Sequence, residues 1–336
     1  MEVGLFEMRR RTARALAGVL LGAVLAWLLA RGSGGVGAVA RSVGASLVGA
    51  DRGLLAAGLA LFIGSQLLRA FRWRLLSLRT ELPMARSLPL TSVHIGLGHL
   101  LPVRLSDVAM VGLFRHHAAL PLGDGTGVVI VSKLLDLVAM GSVVAVVVAV
   151  GAGGAAAVVA PAVAAVGVVG VVLLPGVLRM ARRPVAALAL RVSGGHSLLR
   201  WYRELRCACS FRRSRGRLGA GLAISLLVWV MKMTMFLMLL RAVSPTLGEM
   251  PLWKLFAAFA VTDLTMALPV HGLMGVGTVE AGWTAGFAMA GIRGAAVVQA
   301  GFSVHIIWLA MALGMLVIAL PVVLHRRSGR GEESKP

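Results

Sequence analysis

Apolar residues arrive in eight blocks, at 15–30, 54–76, 88–114, 125–150, 155–178, 218–240, 252–292 and 300–324, and the segments between them gather most of the charge. A helix needs about 20 apolar residues to cross the hydrocarbon core. Six of the blocks approach or exceed that length without a strong breaker and predict crossing helices. The other two, 88–114 and 252–292, are interrupted, the first at Pro102 and the second at Pro269-Val-His-Gly272 followed by Gly275 and Gly277. Their halves 88–101 and 279–292 hold 14 residues each, which suits segments that enter a bilayer and return. Broken backbone at that depth has to be buried in protein or line a wet cavity.

Composition narrows the class. Of 336 residues, 58% are apolar and 14% charged, with a mean hydropathy of +0.89. Soluble domains are nearer half apolar and a quarter charged, and disordered chains are far less hydrophobic. The two cysteines, Cys207 and Cys209, are one residue apart and make no disulfide framework. The net charge of +21 would suit a nucleic-acid binder. Here, however, 30 of the 34 basic residues are Arg, clustered between apolar blocks without interleaved aromatics. That is the positive-inside pattern of a membrane protein, and it argues against a nucleic-acid partner.

Charge also predicts orientation. The N-terminus 1–14 (Arg9, Arg10, Arg11, Arg14), the stretch 69–86, the linker 177–217 with eleven Arg and one Glu, and the tail 326–336 read as cytoplasmic. Segments 31–52, 151–154 and 244–250 read as external loops. Block 88–114 then begins and ends inside, while 252–292 begins and ends outside, so neither is a single crossing. The expectation is an all-α polytopic membrane protein. About six transmembrane helices and two oppositely oriented, broken re-entrant hairpins would form one domain over 15–325, in a bacterial or archaeal cytoplasmic membrane with both termini inside. Two plain helix pairs are the alternative if one loop is assigned to the wrong side. Ala38-Val39-Ala40 resembles a signal cleavage site, but its Gly-rich gap from the first apolar run favours a retained helix.

Ionisable residues within spans are functional candidates. Arg104 and Asp107 flank the first break, at a spacing that lets them meet on a short half-helix. Either they only hold the hairpin shape, or Arg104 grips a phosphate with Asp107 orienting it. Lys133 and Asp136 repeat the spacing in the next helix, as an internal ion pair or as part of a site. Asp263 sits in a polar knot, Val261-Thr-Asp-Leu-Thr265. Glu280 follows the second break, early in a half-helix, where the dipole favours a carboxylate; it is either a helix-end interaction or a partner for a buried cation or proton. Lys232 reads as structural. His94, His99, His271 and His305 have apolar neighbours, and His99 and His271 stand beside the breaks. No nucleotide loop, HExxH, CxxC or GxSxG motif occurs, so no cofactor or metal is called for. Gly18–Gly22 and Gly282–Gly286 are GxxxG spacings, read as helix packing.

Four stretches in order carry a family resemblance: Ala70-Phe-Arg-Trp-Arg-Leu-Leu76, Gly98-His-Leu-Leu-Pro-Val-Arg-Leu-Ser-Asp107, Lys133-Leu-Leu-Asp-Leu137, and Leu268-Pro with Gly275-Val-Gly-Thr-Val-Glu280. Together they resemble the lysylphosphatidylglycerol synthase transmembrane region, or flippase-like domain family, over roughly residues 15–325. Departures are His99 for Asn, Ser106-Asp107 for Gly-Glu, Met110 for a frequent Arg, and Ser132-Lys133 for an acidic residue and Arg. The resemblance implies translocation of charged or isoprenoid-linked lipids. The sequence ends twelve residues after its last apolar block, so the expectation is the membrane half alone, without the aminoacyl-transfer domain of fused members.

The resulting expectation is a lipid flippase-like protein. Arg104, Asp107, Lys133, Asp136, His99 and His271 would surround an anionic or isoprenoid-type headgroup, with Glu280 and Asp263 as an opposite acidic wall. Membrane lipids are its partners, and a second copy of the chain or a lipid-biosynthesis enzyme is a further candidate. A lipid-modifying enzyme using His99 and Asp107, and a non-transporting scaffold, are the rival readings.

Overall fold

The computed structural model describes residues 20–77, 82–101, 105–151, 156–192, 194–210, 215–265 and 273–332. Among them every regular element is helical. Four helices are long and apolar enough to cross a membrane: α3 (Arg52–Leu76), α6 (Leu122–Gly151), α10 (Arg215–Val243) and α14 (Ala295–Glu332). Two bent pairs bring the possible crossings to six. One is α1 (Leu20–Gly32) with α2 (Val36–Val48), at 85° to each other; the other is the latter part of α7 (Ala156–Met180) with α8 (Arg182–Ala189), at 46°. The chain is a polytopic all-α membrane protein.

Both interrupted blocks are helix pairs. The first is α4 (Met84–Leu100) and α5 (Leu105–Ala118). The second, after the single turn α11 (Pro245–Gly248), is α12 (Leu252–Thr265) and α13 (Thr278–Met289). These helices hold 17, 14, 14 and 12 residues. At 1.5 Å per residue they reach about 18–26 Å, against a hydrocarbon core of about 30 Å. Pro102, Arg104, Pro269 and His271, the breaks' own residues, lie outside the described residues, as does the basic N-terminus 1–14.

The hairpins enter from opposite ends. α3 and α10 pack against each other extensively. They run antiparallel, since Asp51 N–H at the start of α3 donates to Ala242 C=O at the end of α10, at 3.2 Å. The first hairpin follows the C-terminal end of α3 and the second that of α10. Ala119 and Gly294, which close the two hairpins, therefore lie at opposite ends. Each hairpin packs one face against the bundle and leaves other residues, such as Val108 and Met289, exposed. α4 and α5 pack through Leu90, Val93, Met110 and Phe114 against Trp73 of α3 and Leu316 of α14. α12 and α13 join an aromatic core in which Phe259 lies 5.4 Å from Trp283 and 5.6 Å from Phe236. The Gly282–Gly286 spacing lets these two helices approach: a Cβ at Gly286 would lie 2.5 Å from Ala258 O.

Two linkers differ from their expected form. Segment 31–52 contains the helix α2, because Gly34 and Gly35 both take positive φ (95° and 93°) and turn the chain. Val39 and Val43, one turn apart, then pack with Ala30 against Phe302. The Arg-rich stretch 177–217 is also largely helical, with α8 and α9 (Gly195–Ala208). α9 buries Tyr202, Leu205 and Cys209 and exposes Arg200 and Arg203. It lies on the start of α6, where Glu204 Oε2 accepts from Gly123 N–H at 3.1 Å and Trp201 Nε1 donates to Thr126 Oγ1 at 3.3 Å. The tail is absorbed into α14, which runs to Glu332. Exposed Val169, Val172 and Leu173 on α7, Ile63 and Leu67 on α3, and Val317 and Ile318 on α14 would be a liability in water and are ordinary facing lipid.

Burial pushes the Cys209 thiol up to about 12, with the charge of Asp124 adding to the shift. The thiolate is the reactive form, so Cys209 stays inert near neutral pH while exposed Cys207 reacts. Maleimide at pH 8 is expected to modify one cysteine in the folded protein and two after denaturation, counted by intact-mass spectrometry. Double labelling of the native protein would contradict the packing of α9.

Candidate functional site

The two hairpins meet at a cavity of about 470 Å³, within the usual range of roughly 300–1,000 Å³ for small-molecule sites. α4 contributes His94, Gly98 and His99, and α5 contributes Ser106 and Asp107 from its first turn. From the other end α12 brings Asp263 and Leu264 in its last turn. The long helices supply Arg69 (α3), Lys133 and Asp136 (α6), Trp229 and Lys232 (α10) and Trp308 (α14). Opposed half-helices converging on one polar chamber is a recurring arrangement for sites near the bilayer midplane.

Carboxylates and cations are matched across helices. Asp136 receives both terminal nitrogens of Arg72, the Nη2–Oδ2 contact measuring 3.0 Å. Arg72 Nη1 also donates to Ser225 Oγ, and Arg72 is only 1% exposed. Asp107 Oδ1 lies 2.9 Å from Lys133 Nζ and 2.9 Å from His94 Nε2. Asp263 Oδ2 pairs with Lys232 Nζ, which sits among Trp229 (4.9 Å), Trp308 (5.4 Å) and Phe236 (5.8 Å), as cation–π attraction favours. Each hairpin is thus tied at its tip to a cation on a long helix, Asp107 to α6 and Asp263 to α10.

Arg69 differs from these. It lines the same cavity, yet it makes no hydrogen bond or ion pair with any described residue, and its Nε is buried without a partner. Four cations (Arg69, Arg72, Lys133, Lys232) therefore face three carboxylates (Asp107, Asp136, Asp263) among the described residues. Counting Arg72, which lies behind the lining and pairs with Asp136, the described residues around the chamber carry one more cation than carboxylate, in a setting of low dielectric where charges interact strongly.

Several sequence expectations land elsewhere. Lys133 and Asp136 do not pair with each other, because Asp107 and Arg72 reach them from neighbouring helices. Glu280 is not in the cavity wall. It is 1% exposed, accepting from Gly277 N–H at 2.7 Å and facing His305 Nδ1 at 2.6 Å. The left-handed turn through Met274 (φ 56°), Gly275 (φ 80°) and Gly277 (φ 83°) aims it away. His99 lines the cavity, with its ring edge-on to Trp308 at 4.5 Å and its Nδ1 without a partner. The described hydrogen bonds of Asp107 go to α4 and α6, so they give no support to a His99–Asp107 catalytic pair. No cluster of metal-ligating side chains occurs among the described residues.

Arg69, Arg72 and His94 were not anticipated as site residues, and Lys232 reads as structural from sequence. Arg69 and Arg72 were absorbed into the topological count of basic residues near a helix end. Their signal was there: they stand one turn apart, well inside the apolar block. Arg72 from the first motif stands directly behind the cavity, and Asp107, Lys133 and Asp136 from the next two line it. The chain belongs to the lysylphosphatidylglycerol synthase TM region family. The family model matches residues 15–315, which takes in both hairpins and every cavity residue above. Neither curated proteins nor solved structures give a match to the chain. Membership makes this a membrane protein of lipid metabolism or transport.

Removing one partner of a buried ion pair strands the other, at a cost of about 3–5 kcal/mol. Asp136→Ala is therefore expected to destabilise the protein by about that amount in detergent unfolding. Arg72→Met with Asp136→Leu together should recover most of it. A single variant as stable as the parent would show that the Arg72 pair is dispensable.

Proposed function

We propose that this family member binds the phosphate of an anionic or isoprenoid-type lipid headgroup in the central cavity and moves the lipid between leaflets. Arg69, whose guanidinium pairs with none of the described residues, in a partly open chamber lined by arms of both hairpins, is the observation that carries this reading. Its planar fork suits two phosphate oxygens. Lys133 and Lys232 stand ready on either side, each held by a hairpin carboxylate, and Arg104, three residues before Asp107 in the sequence, belongs to the same proposal. A phosphate arriving at Arg69 competes with Asp107 for Lys133 and with Asp263 for Lys232. Loosening one tie frees one hairpin, and the two hairpins open towards opposite ends. A differential affinity of this kind is what any ligand-driven conformational change requires.

Orientation is part of the proposal. One end of the bundle carries Arg74, Arg86, Arg115 and the Arg-rich α8–α9 unit, which under the positive-inside rule faces the cytoplasm. The membrane would be a bacterial or archaeal cytoplasmic membrane. Basic residues at such a surface attract anionic lipid by about 1 kcal/mol each, which supplies substrate to the cavity. A lipid biosynthesis enzyme is the natural partner for a carrier of this type.

Proteoliposomes containing fluorescent phosphatidylglycerol, read by dithionite quenching, test this. A charge-assisted hydrogen bond contributes about 1.5–3 kcal/mol, so Arg69→Ala is expected to slow translocation on the order of 10–100-fold. Arg69→Lys should keep part of the activity. Equal rates in wild type and Arg69→Ala would remove the phosphate role.

A further inference from the structure

Behind the cavity lies a second ionisable group that the lipid mechanism leaves unused. Glu280 and His305 are 1% and 2% exposed, deep within the bundle, with Oε1 and Nδ1 2.6 Å apart. Ionisable pairs at such depth are costly and mark ion or proton pathways more often than scaffolding. With Nδ1–H donating to the carboxylate, His305 Nε2 carries a lone pair, and that atom is buried without a partner. His99 Nδ1, on the cavity side, is likewise buried without a partner. Both rings lie against the same indole, Trp308, at 6.2 and 4.5 Å. The pair is also mechanically connected. Glu280 Oε2 holds Gly277 N–H at the end of the left-handed turn 274–277, and the same hairpin carries Asp263 into the cavity on its other arm.

We propose that Glu280 and His305 form a proton-binding site that couples lipid translocation to a transmembrane proton gradient. This rests on the translocation reading above. A proton from cavity water passes by way of His99 and bonds to the lone pair of His305 Nε2. The pair goes from a net charge of −1 to 0, no bond between heavy atoms changes, and the same proton later leaves to water on the opposite side. Of the charged and titratable groups, His99 from α4 acts on His305 through space, and Lys232 from α10, paired with Asp263 from α12, acts in turn on His99; the Gly275 turn lies against the Nε2 edge of the His305 ring. Once His305 is an imidazolium, the carboxylate turns more fully to it and loosens its hold on Gly277. The start of α13 is then released at Gly277 while the headgroup acts on Asp263 at the end of α12. Proton and lipid thereby bias a single two-state element, which is the physical requirement for coupling.

The test uses the full-length protein in phosphatidylcholine vesicles containing fluorescent phosphatidylglycerol, with an imposed pH difference and protein-free vesicles as control. Dithionite reads the leaflet distribution and trapped pyranine reads proton movement. Wild type is expected to build a leaflet asymmetry that a protonophore collapses, bounded at about tenfold per pH unit for one coupled proton. Glu280→Gln and His305→Gln should still equilibrate the lipid between leaflets but build no asymmetry and move no lipid-dependent protons. Glu280→Gln keeps an oxygen for the Gly277 cap and serves where His305→Gln folds poorly. Lipid movement in wild type that ignores the pH difference would overturn the coupling alone, as would variants that accumulate lipid like wild type. Absence of lipid movement in wild type would overturn the translocation reading and the coupling with it.

Discussion

Charge inside hydrocarbon has to be neutralised locally, and in this bundle neutralisation is done between helices. Asp136 is met by Arg72 from α3, Asp107 by Lys133 from α6 and Asp263 by Lys232 from α10. These links hold the interrupted helices in the middle of the protein, where a pair of 12- to 17-residue segments could not anchor itself across a bilayer. The aromatic core around Phe259 and the smaller cluster around Trp73 then surround the hairpins on the sides the ion pairs leave open.

The same requirement explains the single departure from balance. A surplus guanidinium is tolerable only where something neutralises it for part of the time. Among the described residues, the three carboxylates near Arg69 already have cation partners, which is why the proposed function gives Arg69 an external anion. Under the proposed function, a lipid phosphate would bring that charge together with tails that match the apolar surface around α3, α7 and α14, and binding and release would alternate between two costly states.

Much of the architecture was legible in the sequence because bilayer thickness and charge placement are one-dimensional constraints. The break at Pro102, the break at Pro269 and the short arms beside them gave both hairpins without any contact information. The side-chain pairing was not legible in the same way. Spacing put Lys133 with Asp136 because i and i+3 are neighbours on one helix, but packing brings Asp107 and Arg72 closer to them than they are to each other. Arg69 and Arg72 were hidden because a basic residue near a helix end has an ordinary topological explanation. Segments 31–52 and 177–217 read as loops because Gly and Arg mask the apolar repeats, Val39/Val43 and Tyr202/Leu205/Cys209, that make them helical.

Gly277 has no room for a side chain, since a Cβ there would meet the backbone of Gly22 in α1. The amino-terminal helix is therefore more than a tether. Its backbone forms a seat for the second hairpin, and a swing of that hairpin towards α1 is stopped at Gly22 unless α1 yields with it. The 85° bend after α1 is the natural pivot for such yielding, so any swing of that arm would meet a doorstop that can itself turn.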